Sequence, residues 1–385
     1  MKRAINKTSV STPDAVKIYA VLYSFRLLNF LLRALMILLF RKCSNPSRIL
    51  ILRTGSLGDS LCAIPTIAAV RKKYPEAVID ILTNPGRSTL ISIDQLLSPA
   101  IFNQVINYFE LSKRQLASML RKNKYDLFIQ LPQANAKFSQ LVRDTLFFRL
   151  IAPCGWGWEM GKILSYRKVQ EKFIEYDTEV IRLANIARQN GVPVDINYFP
   201  LNITEADREH VAQKYRELGV RPEKTVGIAI GANRPQNRWP LQNVEKVIRS
   251  FTPEYDIILL GGKEDYEPAS RLCVNPHVYN FCSSFTPMQS AAAIQTCHVF
   301  LSNDTGPMHL SYAVGTPTVA TFTSRDFIGT WFPPKSDKNI VFRSDDIPCS
   351  ICLSEYCGNN ICIQAIPSSL VSAAMARLID KNRLN

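Results

Sequence analysis

RILILRTGSLGDSLCAIP, residues 48–65, reads as an apolar strand that runs into a small-residue turn and then opens a helix. About 250 residues later the same grammar returns in HVFLSNDTGPMHLSYAVGTPTV, residues 298–319. In an α/β sheet such a turn lies at the carboxyl edge of the strands, where ligands bind. The helix that follows aims unpaired backbone N–H groups at whatever sits there. Each turn carries an aspartate, Asp59 in the first and Asp304 in the second.

A chain of 385 residues exceeds one average domain and suggests two. Hydrophobic content of 46% with 20% charged residues describes a folded protein rather than a disordered one. The net charge of +14 favours an anionic partner. Nucleic acid is not that partner: there is no zinc-finger spacing, no aromatic RNA-binding motif and no long Lys/Arg run. Cys43, Cys62, Cys154, Cys273, Cys282 and Cys297 are scattered singly, as suits a reducing cytosol.

Strands alternate with helices on both sides of the middle of the chain, which indicates parallel βαβ units. ILILRTG, AVIDILT, VINYF and YDLFIQL read as strands in the first half; TVGIAIG, YDIILLGG, HVFLSND and TPTVATFT follow in the second. The expected organisation is an N-terminal segment over 1–44, Rossmann-like units over 45–200 and 201–345, and a Cys-rich tail with a final helix over 346–385. Residues 16–40 are strongly apolar, yet their charge-free stretch is too short to span a bilayer. Arg26, Asn29 and Arg33 share one helix face, so an amphipathic helix lying on a membrane surface is expected, with Arg41 and Lys42 reaching lipid phosphates; the alternatives are a helix packed on the protein's own core and a span with Arg26 and Arg33 snorkelling. No small-residue cleavage site follows, which argues against a signal peptide.

The chemistry-bearing residues sit in the turns. In NDTGPMHL, Asp304 and Thr305 stand where a helix cap is wanted, Gly306 permits close backbone approach, and His309 lies on the first turns. Such a helix start suits a phosphate. The competing reading is a plain cap with a packed histidine. In GSLGD, Gly58 precedes Asp59, an aspartate that can act as a general base if a substrate hydroxyl lies within reach, or can simply cap the helix. Gly231 opens GANRPQNRWP, whose Arg234 and Arg238 suit a diphosphate. After LLGG, Glu264 or Asp265 can accept from ribose hydroxyls.

The order RTGSLGD, PTIAAVRKKYP, RWP, LLGG, NDTGPMHL and GTPTVATF resembles glycosyltransferase family 9, the heptosyltransferases that build the inner core of bacterial lipopolysaccharide. The resemblance covers residues 48–367. It implies the GT-B arrangement: two doubly wound Rossmann-like domains facing a cleft. It further implies Asp59 as catalytic base, a donor site holding Asp304, Thr305, Gly306, His309 and Glu264, and an inverting transfer with no metal required. Family members commonly carry a lysine two residues before the Trp-Pro pair; this chain has Asn237 there, with Arg238 and Arg234 as the remaining cations.

Four cysteines, Cys349, Cys352, Cys357 and Cys362, follow the spacing C-x2-C-x4-C-x4-C. The spacing fits a structural zinc, a pair of disulfides, or packed thiols. Similar tails occur in some members of the resembled family.

These readings converge on an enzyme that moves a heptose or related sugar from an ADP-sugar to an anionic, membrane-anchored glycolipid at the inner face of the cytoplasmic membrane. Gly58 and the cations Arg87, Lys137, Arg143, Lys162 and Arg167 are acceptor-side candidates. The rivals are a GT-B enzyme with a UDP-sugar donor, whether transferase or 2-epimerase, and a nucleotide-binding homologue without catalysis. An oxidoreductase is disfavoured, since the first turn lacks G-x-G-x-x-G.

Overall fold

The computed structural model describes residues 43–84, 91–109, 111–134, 136–157 and 177–383, with scattered positions between 20 and 41. Arg26, Asn29, Arg33 and Lys42, Arg87, Lys162 and Arg167 fall outside the described residues, and with them the expected amphipathic face. Described positions between 20 and 39 are helical, and Phe30, Ile37 and Leu38 among them are exposed. Among the described residues no helix is long and apolar enough to cross a membrane.

The chain divides into two compact units, one of residues 1–94 and 99–196, the other of residues 95–98 and 197–385. In the first, a five-stranded sheet has the order β3-β2-β1-β4-β5. Its strands are β1 (Arg48–Leu52), β2 (Val78–Thr83), β3 (Gln104–Asn107), β4 (Leu127–Gln130) and β5 (Cys154–Trp156). All four pairings are parallel. Ile49, Leu50 and Ile51 are fully buried, as a central parallel strand covered on both faces requires. The helices are α1 (Leu57–Lys73), α2 (Lys113–Lys122), α3 (Phe138–Arg149) and α4 (Glu179–Arg188). Helix α1 runs through Pro65 as one element and packs on α4.

The second unit holds a six-stranded sheet in the order β11-β10-β9-β6-β7-β8. Its strands are β6 (Thr225–Ala229), β7 (Asp256–Leu260), β8 (Val278–Asn280), β9 (Cys297–Asn303), β10 (Thr318–Phe322) and β11 (Asn339–Arg343). They too pair in parallel throughout. Around them lie α5 (Glu205–Leu218), α6 (Leu241–Phe251), α7 (Tyr266–Ser270), α8 (Pro287–Gln295), α9 (Gly306–Ala313), α10 (Ile361–Gln364) and α11 (Ser368–Arg383). The tail read as a separate segment over 346–385 supplies core to this unit: Val371, Met375 and Ile379 of α11 pack with Val247 of α6 and Ile257 of β7.

A short outlying piece also belongs to the second unit. Leu97 bridges antiparallel to Leu201. The Ser98 N–H donates to Pro200 O at 2.9 Å, and the Asn202 N–H to Leu96 O at 2.8 Å. Leu96 and Leu97 are fully buried.

Both sheets reverse their winding once. In the first, the chain steps from β1 outward through β2 and β3, then returns to the other side of β1 with β4. In the second, it steps from β6 through β7 and β8, then returns beside β6 with β9. Each reversal opens a crevice at the strands' carboxyl ends, the usual place for a ligand. The turn after β1 and the turns after β6 and β9 lie at these two places.

Candidate functional site

In the first unit, Ser56 precedes α1 in an extended conformation, and Asp59 is the third residue of the helix. The Asp59 Oδ2 accepts from the Ser56 backbone N–H and from the Ser56 hydroxyl, both at 2.9 Å. This is a capping box. Its other oxygen, Oδ1, receives Arg53 Nη2 at 3.2 Å. Arg53 is buried at the carboxyl end of β1, and its fork also donates to the Asp59 carbonyl from Nη2 at 2.6 Å and Nε at 3.0 Å. Its Nη1 donates to the carbonyls of Leu131 at 3.1 Å and Pro132 at 3.2 Å. Behind it stands a buried Glu179, 3.6 Å from Arg53 Nη2. Arg182 Nε donates to Glu179 Oε2 at 2.7 Å, and Arg182 Nη2 donates to the Pro132 carbonyl. The Asp59 side chain keeps 16% of its surface exposed, so a fixed carboxylate still faces solvent. The capping role and an accessible carboxylate are both present.

Gly58 is buried in the first turn of α1. Arg143 is exposed on α3 and donates to Asp144 Oδ1 at 2.6 and 2.8 Å; burial raises the Asp144 carboxyl above its ordinary value. Lys137 stands at the start of α3.

In the second unit Asn303 organises the crevice. Its Nδ2 donates to the carbonyls of Ile230 at 3.0 Å and Gly231 at 3.2 Å. Its Oδ1 accepts from the Trp239 N–H and the Thr321 hydroxyl, each at 3.0 Å. The ends of β6, β9 and β10 are thus stapled around one buried amide. Asp304 follows, half-buried, and Asn237 Nδ2 donates to its Oδ2 at 3.4 Å. Asn237 Oδ1 accepts from the Thr323 hydroxyl at 3.3 Å. Desolvation pushes the Asp304 carboxyl up to about 7, and Asp326 adds to that; Arg234, Arg325 and Arg343 oppose it. Position 237 thus meets this carboxyl with a neutral amide N–H and brings no charge of its own.

Thr305 caps α9 with an extended backbone, and Gly306 begins the helix with Pro307 behind it. His309 is buried, its Nδ1 at 2.8 Å from the Tyr312 hydroxyl and its ring edge-on to Trp331.

The acidic residue that closes on Arg238 and Gly231 is Asp265, whereas Glu264 is exposed. Asp265 Oδ2 accepts the Gly262 N–H at 2.9 Å, and Arg238 Nη2 lies 3.2 Å from Oδ1. Burial raises this carboxyl above its ordinary value. A Cβ on Gly231 would stand 2.0 Å from Asp265 Oδ2, so Gly231 is required for the close approach of this side chain. Arg238 Nε also donates to the Ala232 carbonyl at 3.1 Å.

Sequence reasoning missed Arg325 and Arg343. Arg325 is buried just beyond β10, its Nη1 at 2.8 Å from Asp326 Oδ2 and its Nε donating to the Ser354 carbonyl. Arg343 ends β11 and donates to Asp345 Oδ1 at 2.6 Å. The signal was available: both lie at carboxyl ends of parallel strands, where ligand-facing residues collect.

Cys349, Cys352, Cys357 and Cys362 line a single cavity of about 20 Å³ together with Gln236, Thr323 and Arg325. Desolvation raises the Cys349 thiol, and its three neighbours add to that. Among the described residues no three His, Cys, Asp or Glu side chains are grouped closely enough to hold a metal ion.

The chain matches the family model for Glycosyltransferase family 9 (heptosyltransferase) over residues 113–362. It is 24% identical over 322 residues to lipopolysaccharide heptosyltransferase 2 of Escherichia coli strain K12, covering 77% of this chain and 88% of that protein. Over 340 residues it is 24% identical to lipopolysaccharide heptosyltransferase 3 of Escherichia coli, covering 84% and 96%. Among solved structures, a family 9 glycosyl transferase from Veillonella parvula superposes with a TM-score of 0.67 at 22% identity, covering 87% of this chain and 98% of that one.

Proposed function

Because the chain belongs to glycosyltransferase family 9, the heptosyltransferase family, we propose that it moves a heptose from an ADP-sugar to a membrane-anchored acceptor of the lipopolysaccharide-core type. The observation that carries the reading is the Asp59 carboxylate, held by Ser56 and Arg53 at the winding reversal of its sheet yet open to solvent on one side. In this reading Asp59 takes the proton of an acceptor hydroxyl as the oxygen attacks the anomeric carbon. The bond from that carbon to the diphosphate breaks, and ADP leaves from the opposite face with inversion.

The donor reading rests on the second unit. The first turn of α9 at Thr305 and Gly306 offers backbone N–H groups to a diphosphate. Arg234 and Arg238, with Arg325 and Arg343, supply positive charge around Asp304 and Asp265 as the leaving group gains its own. ADP and heptose enter from the relatives: lipopolysaccharide heptosyltransferases 2 and 3 are so named, and a solved Escherichia coli relative, 20% identical, is described as an ADP-heptose heptosyltransferase. The acceptor of such an enzyme would lie at the inner face of the cytoplasmic membrane.

Asn237 favours a second reading, a nucleotide-binding homologue without transfer, because the contact to Asp304 lacks a cation. One experiment separates the two. Asp59→Asn is expected to lower turnover by about a hundredfold or more while calorimetric ADP binding persists. Unchanged turnover would reduce Asp59 to a cap. ADP binding without transfer by the parent, on any core acceptor, would establish the second reading.

A further inference from the structure

The N-terminal unit carries a face whose charge and exposed apolar side chains nothing in the transfer reaction uses. In its sheet, α1 connects β1 to β2 in one direction, whereas α2 connects β3 to β4 and α3 connects β4 to β5 in the other. Right-handed crossovers running in opposite directions place their helices on opposite faces. Helices α2 and α3 therefore share the face away from α1.

Helix α2 turns Leu116 and Leu120 inward and presents Lys113, Arg114, Arg121 and Lys122 to solvent. It contains no acidic residue. Ala117 and Ser118 leave a shallow, open depression between Arg114 at one end and Arg121 and Lys122 at the other. Those ends lie about 10 Å apart along the helix. Helix α3 buries Leu141 and Phe148, but Leu146 and Leu150 are 51% and 63% exposed. They are one turn apart and form a common apolar ridge. The one acid of α3, Asp144, already accepts from Arg143.

We infer that the α2–α3 face of this unit docks on an anionic phospholipid surface, with the α2 cations at the headgroup phosphates and Leu146 and Leu150 entering the interface. Cations alone would fit any polyanion. The leucines select a lipid surface, because aliphatic side chains gain from the acyl boundary and offer no ring for stacking a base. The inference rests on the proposed membrane-anchored acceptor only for its purpose; the surface itself is tested without donor or acceptor.

The test is co-sedimentation of the full chain with vesicles of phosphatidylcholine alone or with phosphatidylglycerol added. The parent is expected to prefer the anionic vesicles and to lose that preference as salt rises. R114E/R121E/K122E, and the milder R114Q/R121Q/K122Q, are expected to lower partitioning to anionic vesicles by at least about tenfold. L146S/L150S should weaken it without changing the salt dependence. Melting temperature and ADP binding should match the parent in all three. A charge-reversed variant that keeps the parent's ratio between the two vesicle types would overturn the inference. So would release by inorganic phosphate under conditions where chloride of equal ionic strength has no effect, which would mark a soluble-anion site. Transfer activity lost in solution would bear on the proposed reaction and not on this surface.

Discussion

Arg53 Nη2 stands 3.2 Å from Asp59 Oδ1 while the same guanidinium grips the Asp59 carbonyl through two further hydrogen bonds. One buried fork therefore sets both the backbone and the side chain of the proposed base. Glu179 and Arg182, brought in by α4, extend the ion pair and fix the fork from behind. A planar, branched donor is needed for this; a point charge on a flexible stem does not reproduce it.

Arg53→Lys keeps the charge and loses the fork. Turnover is expected to fall about tenfold or more, as a loosened catalytic group implies, while ADP affinity stays within about twofold of the parent because the residues proposed to hold the donor belong to the other unit. Arg53→Ala additionally strands the carbonyls of Leu131 and Pro132 and should cost about 2–4 kcal/mol of stability. Steady-state kinetics, calorimetry with ADP and urea denaturation read the three effects separately.

Asp304 gives the protein a particular pH response. Its folded carboxyl titrates near 7, against an ordinary value of about 3.9. Between these pH values the folded state holds a proton that the unfolded state has released. The contribution to stability is therefore present at low pH and declines as pH rises from about 4 to about 7, with no further change above. Asp304→Asn removes that decline: the variant should match the parent at pH 4 and exceed it by about 1–2 kcal/mol at pH 8, partial exposure screening the larger shift. Denaturant midpoints across this range measure it. Parallel curves for the two proteins would show that the carboxyl is ionised throughout.

Gly231→Ala would place a methyl group 2.0 Å from Asp265 Oδ2 and 2.4 Å from its Cγ. The Asp265 side chain is buried and bonded to the Gly262 N–H, so it has little room to yield. A loss of about 1–3 kcal/mol is expected, together with weaker ADP binding as Arg238 loses its partner. A melting temperature equal to the parent's would mean that the turn after β6 shifts freely.

Much of the architecture was legible because buried parallel strands write themselves as short apolar runs. The strands at residues 48–52, 78–83, 225–229, 256–260 and 297–303 fall, to within one residue, inside stretches read directly from the sequence. The edge strands β8 and β11 are short or only half-buried and carry no such run. Helices α3 and α4 were not read at all, which hid Glu179 and hence the support behind Arg53, contributed from more than a hundred residues away. At the second turn the choice between Glu264 and Asp265 could not be made from adjacency in sequence, since it depends on which carboxyl the missing Cβ of Gly231 admits. Asp304 was legible as a residue; its environment was not, because the charges of Arg325 and Arg343 act on it from the ends of two strands distant in sequence.

Residues 95–98 leave the first unit only long enough to pair with residues 200–202 of the second. The two halves are consequently not modular at any one cut. A chimaera joined after residue 196 would inherit a second unit whose Leu97 comes from another parent's sequence, and a half expressed from residue 197 onward would begin with an unmatched Leu201. Exchange of the second unit between relatives therefore has to carry residues 95–98 along with residues 197–385, two separate stretches of the sequence.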